Sequence, residues 1–392
     1  MAFFLLCTAI FILFFQPVFL FPGLTPYSPV RYSALLALIV YFLFGEKSEI
    51  DFFAVKENKY FFLFITFQVA SAGTIWAYAA AETFYAWLCI GIIYFLIIKS
   101  CINEKRIKYI ILGIVTAIIY LSYFSIKNFV MVYEPGLQAG GYGWYTNAND
   151  LAAILVPIIP LTFALGETAK SIFSKYFFYL MSFIFVFNLL FTASRNALLG
   201  LLTVGGLCMC CSRKISRLFR ISLSILLIAC VITVGVANVL SRSDLSSSGL
   251  SGDASSENRL EQWNACFRMI KDHPFFGVGP NNARYEMRSY GGIPGLPPHN
   301  TLVQVFAETG IPGGIFFFLF TFYPLLSAYK FLKSIKFGEG TQAIILYKYL
   351  IIALIGFWVC AFFTNRVEFY ILYVLVALIV STREVLLKNV EQ

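Results

Sequence analysis

Residues 107–124 read IKYIILGIVTAIIYLSYF, an apolar run whose only charged side chain is Lys108. A helix needs about 20 predominantly apolar residues to cross the hydrocarbon of a bilayer. Two basic residues, Lys105 and Arg106, precede the run, and a polar, glycine-rich loop follows it. These features predict a transmembrane helix with one end at each membrane face.

The rest of the chain repeats this pattern. Apolar residues make up 59% of the 392 positions and charged residues only 12%, and the mean hydropathy is +0.79. A soluble domain of this length needs more surface charge, so the composition predicts an all-α integral membrane protein. We expect about twelve transmembrane helices, at residues 2–21, 32–44, 60–78, 85–98, 107–124, 151–165, 176–191, 196–211, 221–240, 311–326, 351–364 and 370–381.

Basic residues favour one side of this predicted bundle. With twelve spans and a cytoplasmic N-terminus, the loops on the opposite side hold only Arg31, Lys127, Arg195 and Arg366 outside the large loop. Cytoplasmic loops are enriched in Lys and Arg, so the polar loop before His299 is expected on the outer side, the periplasm of a Gram-negative cell. The predicted cytoplasmic loops hold Lys99, Lys105, Arg106, Lys108, Arg213, Lys214, Arg217, Arg220, Lys330, Lys333 and Lys336.

Two long polar loops divide the chain. We expect residues 1–240 to hold nine transmembrane helices and the first loop at 125–150. Residues 241–300 form a large periplasmic loop, and residues 301–392 hold the last three helices and a cytoplasmic C-terminus. Within the large loop, residues 243–256 are low in complexity and expected to be mobile. Apolar residues at helical spacing predict a short surface helix over 257–272, with Leu260, Trp263, Phe267 and Ile270 on one face.

Two arginines are candidates for binding an anion. Arg195 lies in the short outer turn TASRN at 192–196, where an arginine either extends to the interface or serves a site. Asn258 and Glu261 resemble a capping box, which predicts Arg259 in the first turn of the loop helix. A guanidinium beside a helix N-terminus would bind phosphate or pyrophosphate oxygens. A solvated surface arginine is the alternative at this position.

His299, one of only two histidines, follows two prolines at the entrance to the tenth span. An imidazole titrates near neutral pH and can accept a proton from a hydroxyl group, so His299 is the candidate catalytic residue. The alternative is a histidine that caps the helix beginning near Thr301. Asn300 and the intramembrane Glu308 are candidate supporting or sugar-binding residues, although Glu308 could equally bond the backbone or Asn300.

Asn147, Asn149 and Asp150 lie at the outer start of another predicted helix. Side chains of this type can contact sugar hydroxyls, or they can cap the helix. Both interpretations remain open at this point.

Several common motifs are absent from the sequence. It holds no glycine-rich nucleotide loop, no paired aspartates for a nucleotide-sugar metal site and no metalloprotease motif. Its nine cysteines show no disulfide or metal-site spacing. We therefore expect no cofactor and no metal. The net charge of +9 is explained by the loop asymmetry, so we expect no nucleic acid partner. A lipid-linked phosphate donor fits arginines at the outer face better than a soluble nucleotide.

Taken together, these motifs resemble the O-antigen ligase/polymerase superfamily, whose members share the Wzy-type C-terminal motif. The resemblance covers most of the chain in architecture. It is carried, in this order, by Asn147-Ala148-Asn149-Asp150-Leu151-Ala152, Ser194-Arg195, Arg259 with Trp263, His273-Pro274, Gly277-Val278-Gly279, and His299-Asn300 with Glu308 and Gly310.

The resemblance implies a GT-C-type glycosyltransferase fold in the bacterial inner membrane, with the active site facing the periplasm. Such proteins take a glycan from undecaprenyl pyrophosphate and join it to an acceptor by inverting, metal-independent transfer. By position, Arg195 and Arg259 would bind the pyrophosphate and His299 would be catalytic. Transfer to lipid A core, as in an O-antigen ligase, is the first expectation.

Three alternatives remain. A polymerase of the same superfamily would extend the glycan repeat, and a protein O-glycosyltransferase would modify Ser or Thr. A transporter or flippase usually shows broken helices and charges near the membrane midplane, whereas the polar residues of this chain gather at one predicted face.

Overall fold

The computed structural model describes residues 1–46, 50–75, 77–132, 138–211, 252–334, 342–365 and 367–391. In these ranges the regular elements are all helices. The α-helices are α1 (Ala2–Phe15), α2 (Pro17–Leu20), α3 (Pro29–Phe44), α4 (Lys56–Ile75), α5 (Ala77–Ser100), α6 (Glu104–Met131), α7 (Ala148–Glu167), α8 (Ile172–Phe191), α9 (Arg195–Cys211), α10 (Gly252–Asp272), α11 (Ala283–Glu286), α12 (Thr301–Ser334), α13 (Gln342–Ala361) and α14 (Tyr370–Glu391).

Every predicted span within the described residues overlaps one of these helices. Seven of the helices are long and apolar enough to cross a membrane, and three shorter ones, α1, α3 and α9, are also apolar. The chain is therefore a multi-pass, all-helical membrane protein. The predicted span at 221–240 lies outside the described residues, as do the predicted loop charges Arg213, Lys214, Arg217, Arg220, Lys336 and Arg366.

The first predicted span is not one continuous helix. Gln16 adopts a left-handed conformation with φ 49°, which ends α1 and separates it from α2. The next residue is Pro17, which has no backbone N–H to continue the helical hydrogen bonds. The expectation of a single helix over 2–21 is therefore wrong, because the backbone turns at Gln16.

Successive long helices alternate in direction, so their ends gather in two groups. At one end Arg106 forms an ion pair with Glu46 at 2.8 Å, and Arg383 contacts Glu57 at 2.6 Å. Lys108 reaches Gln342 there as well. We call this the basic end, and the opposite end the site end. The site end carries the loops around 138–147, 192–195, 273–300, 362–365 and 367–369.

Helix α7 lies at the centre of the bundle. It packs against α8, α9 and α13, and nearly all of its residues from Ala148 to Gly166 are buried. Because a fully surrounded helix has little freedom to shift, the side chains at its first turn are held at a fixed place at the site end.

The loop helix α10 differs from the prediction in its start and in its buried face. It begins at Gly252 rather than at residue 257, so residues 252–256 are helical. Leu260 and Phe267 are 60% and 54% exposed. The buried side chains are Gln262, Ala265, Cys266 and Met269. Ala265 and Cys266, in the middle of this buried face, are small, as the direct packing of α10 against α12 favours.

Candidate functional site

A cavity of about 330 Å³ opens at the site end beside His299; we call it the His299 cavity. Of the predicted site residues, it is lined by Asn147, Asn149, Asp150, His299 and Glu308. Loops that are far apart in sequence therefore meet around one space. The remaining lining residues are Thr146, Asn281, Arg284, Pro297, Pro298, Gln304, Thr364 and Asn365.

The backbone at His299 has φ 50°, a left-handed conformation that is rare for residues with a β-carbon. Such a conformation persists where surrounding contacts impose it. Here the contacts lie on both sides of the histidine. Trp263 Nε1–H donates to the Pro298 carbonyl at 2.7 Å, and the Asn300 N–H donates to Asn365 Oδ1 at 3.1 Å. These two bonds fix His299 at the cavity wall.

Asn300 does not line the cavity but caps α12. Its Oδ1 accepts a hydrogen bond from the Val303 N–H at 3.1 Å, and its carbonyl accepts one from the Gln304 N–H at 3.0 Å. The capping role that was an alternative for His299 is therefore performed by Asn300. Its contribution to the site is to hold the start of the helix that follows the histidine.

Asn147 caps α7 and lines the cavity at the same time. Its Oδ1 accepts a hydrogen bond from the Asn149 N–H at 2.8 Å. Asn149 Oδ1 in turn accepts one from Ser194 Oγ at 2.6 Å, and Asp150 is 6% exposed. Helix capping and contact with a ligand in the cavity are thus compatible for this cluster. Asn147 stabilises the start of α7, and the side chains of the cluster line the cavity.

Helix α12 is broken at Gly310, where φ is 71° and ψ is −177°. A β-carbon at this position would lie 2.5 Å from the carbonyl carbon of Phe275, so only glycine allows the loop to approach so closely. The break divides α12 into a short outer segment and a long inner segment. The outer segment carries Gln304 and Glu308.

The loop at 273–279 satisfies the backbone groups that the break releases. A broken helix leaves carbonyl and N–H groups without their usual partners, and burying them unpaired is unfavourable. The loop supplies replacements in three hydrogen bonds. These are Val278 N–H to Ala307 O at 2.9 Å, Gly279 N–H to Glu308 O at 3.0 Å, and Ile311 N–H to Pro274 O at 2.7 Å.

Glu308 is 4% exposed and lies at the inner side of the cavity. Gln304 Nε2 donates to its two carboxylate oxygens at 3.1 and 3.2 Å, and Ser71 Oγ donates to its carbonyl at 2.5 Å. The side-chain partner is therefore Gln304, not Asn300. This pairing holds the carboxylate in one orientation toward the cavity.

Arg195 and Arg259 lie beside the cavity rather than in its wall. Arg195 follows Ser194, the residue that bonds Asn149, and is the first residue of α9. The guanidinium carbon of Arg259 is 6.0 Å from the centre of the Phe363 ring, next to the lining residue Thr364. Partial burial, with the nearby positive charge of Arg195, lowers the pKa of Arg259. Two cationic side chains therefore share one region of the margin.

The predicted position of Arg259 in a first helical turn is wrong. Since α10 begins at Gly252, Arg259 lies about two turns into the helix, and Asn258 does not cap it. The expected combination of an arginine with a capped helix N-terminus occurs at Arg195 instead. Ser194 Oγ accepts a hydrogen bond from the Ala197 N–H at 3.4 Å, so Arg195 lies at a capped helix N-terminus.

Comparison with known proteins identifies the segment that contains most of these residues. Residues 180–318 match the O-antigen ligase family (Wzy_C). The chain is also similar to a putative polysaccharide ligase of Rickettsia felis, with 25% identity over 309 residues, which is 72% of each chain. The predicted resemblance to the O-antigen ligase/polymerase superfamily is therefore confirmed.

The O-antigen ligase segment includes Arg195, Arg259, His299 and Glu308, whereas Asn147, Asn149 and Asp150 precede it. The cavity is thus built from the O-antigen ligase segment together with the start of α7 and the loop after α13. Within the described residues, no three His, Cys, Asp or Glu side chains cluster as metal ligands would.

Sequence reasoning missed several residues of the His299 cavity. Arg284 and Asn281 come from the irregular part of the large loop, whose fold has no periodic signal. Gln304 precedes Glu308 by one helical turn, so the polar pair on one face was a usable signal. Asn365 lies in a short polar turn between two apolar runs, the same context that drew attention to Arg195.

Proposed function

We propose that this chain is an inverting, metal-independent O-antigen ligase of the bacterial inner membrane. It takes a glycan from undecaprenyl pyrophosphate and joins it to the lipid A core at the periplasmic face. The observation that carries the proposal is the single cavity shared by His299 and a set of hydrogen-bonding side chains, with two arginines at its margin.

The reaction needs a base at the acceptor hydroxyl. The His299 imidazole accepts the hydroxyl proton as the oxygen attacks the anomeric carbon of the donor sugar. The bond to the pyrophosphate oxygen breaks on the opposite face of the sugar, and undecaprenyl pyrophosphate leaves with the electron pair. The fixed backbone at His299 keeps the imidazole in the orientation that this transfer requires.

The leaving group needs positive charge. Arg195 and Arg259 meet the pyrophosphate, and the N-terminus of α9 adds unpaired N–H groups and a favourable dipole. Guanidinium groups bind two oxygens of a phosphate at once. Removing one such donor from comparable sites costs about 3 kcal/mol of transition-state stabilisation.

The sugar needs directional hydrogen bonds. Asn147, Asn149, Asp150 and Glu308 provide acceptors at the cavity wall, with Asn300 in a supporting role as the cap of α12. Carboxylate and amide oxygens accept hydrogen bonds from hydroxyl groups, the chemistry that a sugar presents.

The proposed orientation places the site end in the periplasm. Lys99, Lys105, Arg106, Lys108, Lys330 and Lys333 belong to helix ends at the basic end, which the positive-inside rule assigns to the cytoplasm. A twelve-helix, GT-C-type arrangement is part of the proposal and is compatible with the seven long apolar helices.

The test uses purified full-length protein, an undecaprenyl-pyrophosphate-linked glycan, and lipid A core present or absent. We expect a single shift of lipid A core on a gel, seen only when the core is supplied. A ladder that grows on the lipid-linked glycan without the core would identify a polymerase. Absence of both products under conditions where the protein is folded would contradict the proposal.

A His299→Asn variant tests the base. Asparagine tolerates a left-handed backbone, so the loop is kept while the base is lost, and the rate should fall at least ~100-fold. The matched control is His273→Asn, because His273 contacts Tyr290 at 3.0 Å and does not line the cavity. Equal rates for wild type and His299→Asn would remove His299 from the mechanism.

A further inference from the structure

Two smaller cavities continue from the His299 cavity. The first, of about 60 Å³, shares Asn281, Gln304, Glu308 and Asn365 with it and reaches Gln68; we call it the Gln68 cavity. The second, of about 120 Å³, shares Trp87 and Glu368 with the Gln68 cavity and reaches the other side of the site end. We call it the Trp144 cavity. The three cavities therefore share side chains in their walls and form a series, which we call the path, that leads away from His299.

Buried acceptors without partners line this path. Gln68 is 2% exposed and Gln304 is 8% exposed. The side-chain carbonyl oxygen of each has no hydrogen-bond partner among the described residues. A buried acceptor that is left unpaired is destabilising, so natural proteins rarely keep one without a purpose. Both side chains line the Gln68 cavity, so rotation of the amide groups would let hydroxyl donors of a ligand pair these oxygens.

Two carboxylates add further hydrogen-bond acceptors to the path. Glu368 lines both smaller cavities and Glu308 lines the Gln68 cavity. Asn281 Nδ2 donates to Glu368 Oε1 at 3.1 Å, which orients that carboxylate. Ionised carboxylates only accept hydrogen bonds. The polar atoms of the path therefore favour a neutral donor-rich molecule over an anion.

Aromatic rings provide the apolar surface on which a sugar ring can pack. The Trp144 ring stacks on Tyr370 with 5.3 Å between centroids and 13° between planes, and Trp144 remains 38% exposed. Trp87 lies behind it at 2% exposure, fixed by an edge contact to Tyr373 at 5.4 Å. One face of a pyranose ring carries C–H groups and packs on an aromatic surface, while its edge hydroxyls bond polar groups.

We propose that the Gln68 and Trp144 cavities form a saccharide subsite that holds sugar residues next to the one reacting at His299. This inference rests on the proposed function, because that function gives the bound glycan its role. The glycan comes either from the lipid-linked donor or from the core acceptor. The unpaired amide oxygens bind hydroxyls, and Trp144 packs against a sugar face. Affinity then depends on glycan residues beyond the reacting sugar.

The experiment measures binding of unlipidated oligosaccharides to the full-length protein in detergent by saturation-transfer difference NMR titration. One probe is the oligosaccharide released by mild acid from the donor lipid, and the other is the deacylated core oligosaccharide. If the oligosaccharide released from the donor lipid binds the wild type saturably, the subsite holds donor sugars. If the deacylated core oligosaccharide binds saturably, the subsite holds acceptor sugars. Binding of neither probe overturns the proposal.

Two variants test the residues. Trp144→Ala should raise the Kd for the oligosaccharide about tenfold, equivalent to about 1.4 kcal/mol. Phe21→Ala is its control. Phe21 is also an aromatic residue at the site end, with 60% of its surface exposed, and it lines none of the three cavities. Gln68→Leu should raise the Kd by a similar factor while raising the melting temperature of the ligand-free protein, since it removes an unpaired buried acceptor. A purely structural Gln68 would give a lower melting temperature and unchanged Kd.

The outcomes separate this inference from the proposed function. If the transfer assay fails but oligosaccharide binding is present and weakened by both variants, the subsite stands and the ligase proposal does not. If transfer proceeds and both variants bind as tightly as the wild type, the ligase proposal stands and the subsite is overturned.

Discussion

The indole N–H of Trp263 donates a 2.7 Å hydrogen bond to the carbonyl of Pro298. This bond joins the helix that carries Arg259 to the residue immediately before His299. Trp263 also contacts Phe362 edge-on, at 6.1 Å between ring centroids. The proposed pyrophosphate-binding helix and the proposed base are therefore held at a fixed separation by one side chain.

Replacing Trp263 by phenylalanine should loosen this connection. The ring keeps most of its packing but loses the hydrogen bond, which is worth about 1 kcal/mol. We expect the transfer rate to fall about tenfold, because a small displacement of the reacting groups is enough to slow catalysis. The measurement is glycan transfer to lipid A core at saturating donor. Leu260→Ala, at a 60% exposed position of the same helix, should leave the rate unchanged, and an equal loss in both variants would contradict the prediction.

Arginine geometry at the cavity margin should matter as well as charge. Arg259→Lys keeps the positive charge but loses the planar fork, so kcat/KM for the lipid-linked donor should fall about 100-fold. Arg195→Lys should act in the same way. Arg268→Lys is the control, since Arg268 lies on the same helix and, among the described residues, donates to the backbone carbonyl of Asn264 alone, at 3.3 Å. Wild-type kinetics for Arg259→Lys and Arg195→Lys would exclude bidentate phosphate binding.

Gly310→Ala should destabilise the protein. The added β-carbon meets the Phe275 backbone at 2.5 Å, and φ is 71°, so the loss in free energy of unfolding should be at least about 2 kcal/mol. Thermal unfolding in detergent measures it. Gly206→Ala is the matched control because no atom of the described residues lies within 4 Å of a β-carbon added there. Alanine there should be neutral or stabilising by up to about 1 kcal/mol. A melting temperature for Gly310→Ala equal to that of the wild type would show that the break is not rigid.

Cys266 should resist alkylation while the large loop is folded. Burial, with the nearby Glu308 carboxylate, raises the pKa of this thiol from 9.0 to about 12. The thiolate is the reactive form, so its fraction at pH 8 is far below that of an ordinary cysteine. Iodoacetamide labelling followed by mass spectrometry should show modification of the exposed Cys210 and none of Cys266 until denaturant is added. Rapid labelling of Cys266 in the native protein would contradict the packing of α10.

The hydrophobic pattern predicted where most of the described membrane helices lie, because a membrane span needs a long apolar run wherever it occurs. It did not show the break at Gln16. It failed for the face of α10. Large residues such as Leu260 and Phe267 dominate any apolar periodicity, yet helix-to-helix contact in this place selects Ala265 and Cys266 for their small size. The side of a helix that faces a neighbour depends on the neighbour, which a single sequence does not reveal.

The individual residues of the candidate site could be predicted from the sequence, but the hydrogen bonds that join them could not. His299, Glu308 and the cluster beginning at Asn147 were each unusual in an apolar context, and the structure brings them to one cavity. The bond between Asn300 and Asn365 joins residues 65 positions apart, and no local pattern encodes it. The same is true of Ser194 and Asn149, whose contact connects two different helices.

The break in α12 has a mechanical consequence. Two hydrogen bonds, from Val278 N–H to Ala307 O and from Gly279 N–H to Glu308 O, join the loop at 273–279 to the segment before Gly310, and the bond from Ile311 N–H to Pro274 O joins the same loop to the segment after it. The loop therefore bridges the break, and it braces the inner wall of the cavity at the glycine where the helix itself is interrupted. A force applied to that loop would thus reach both halves of the broken helix and, through the inner half, the membrane-embedded bundle.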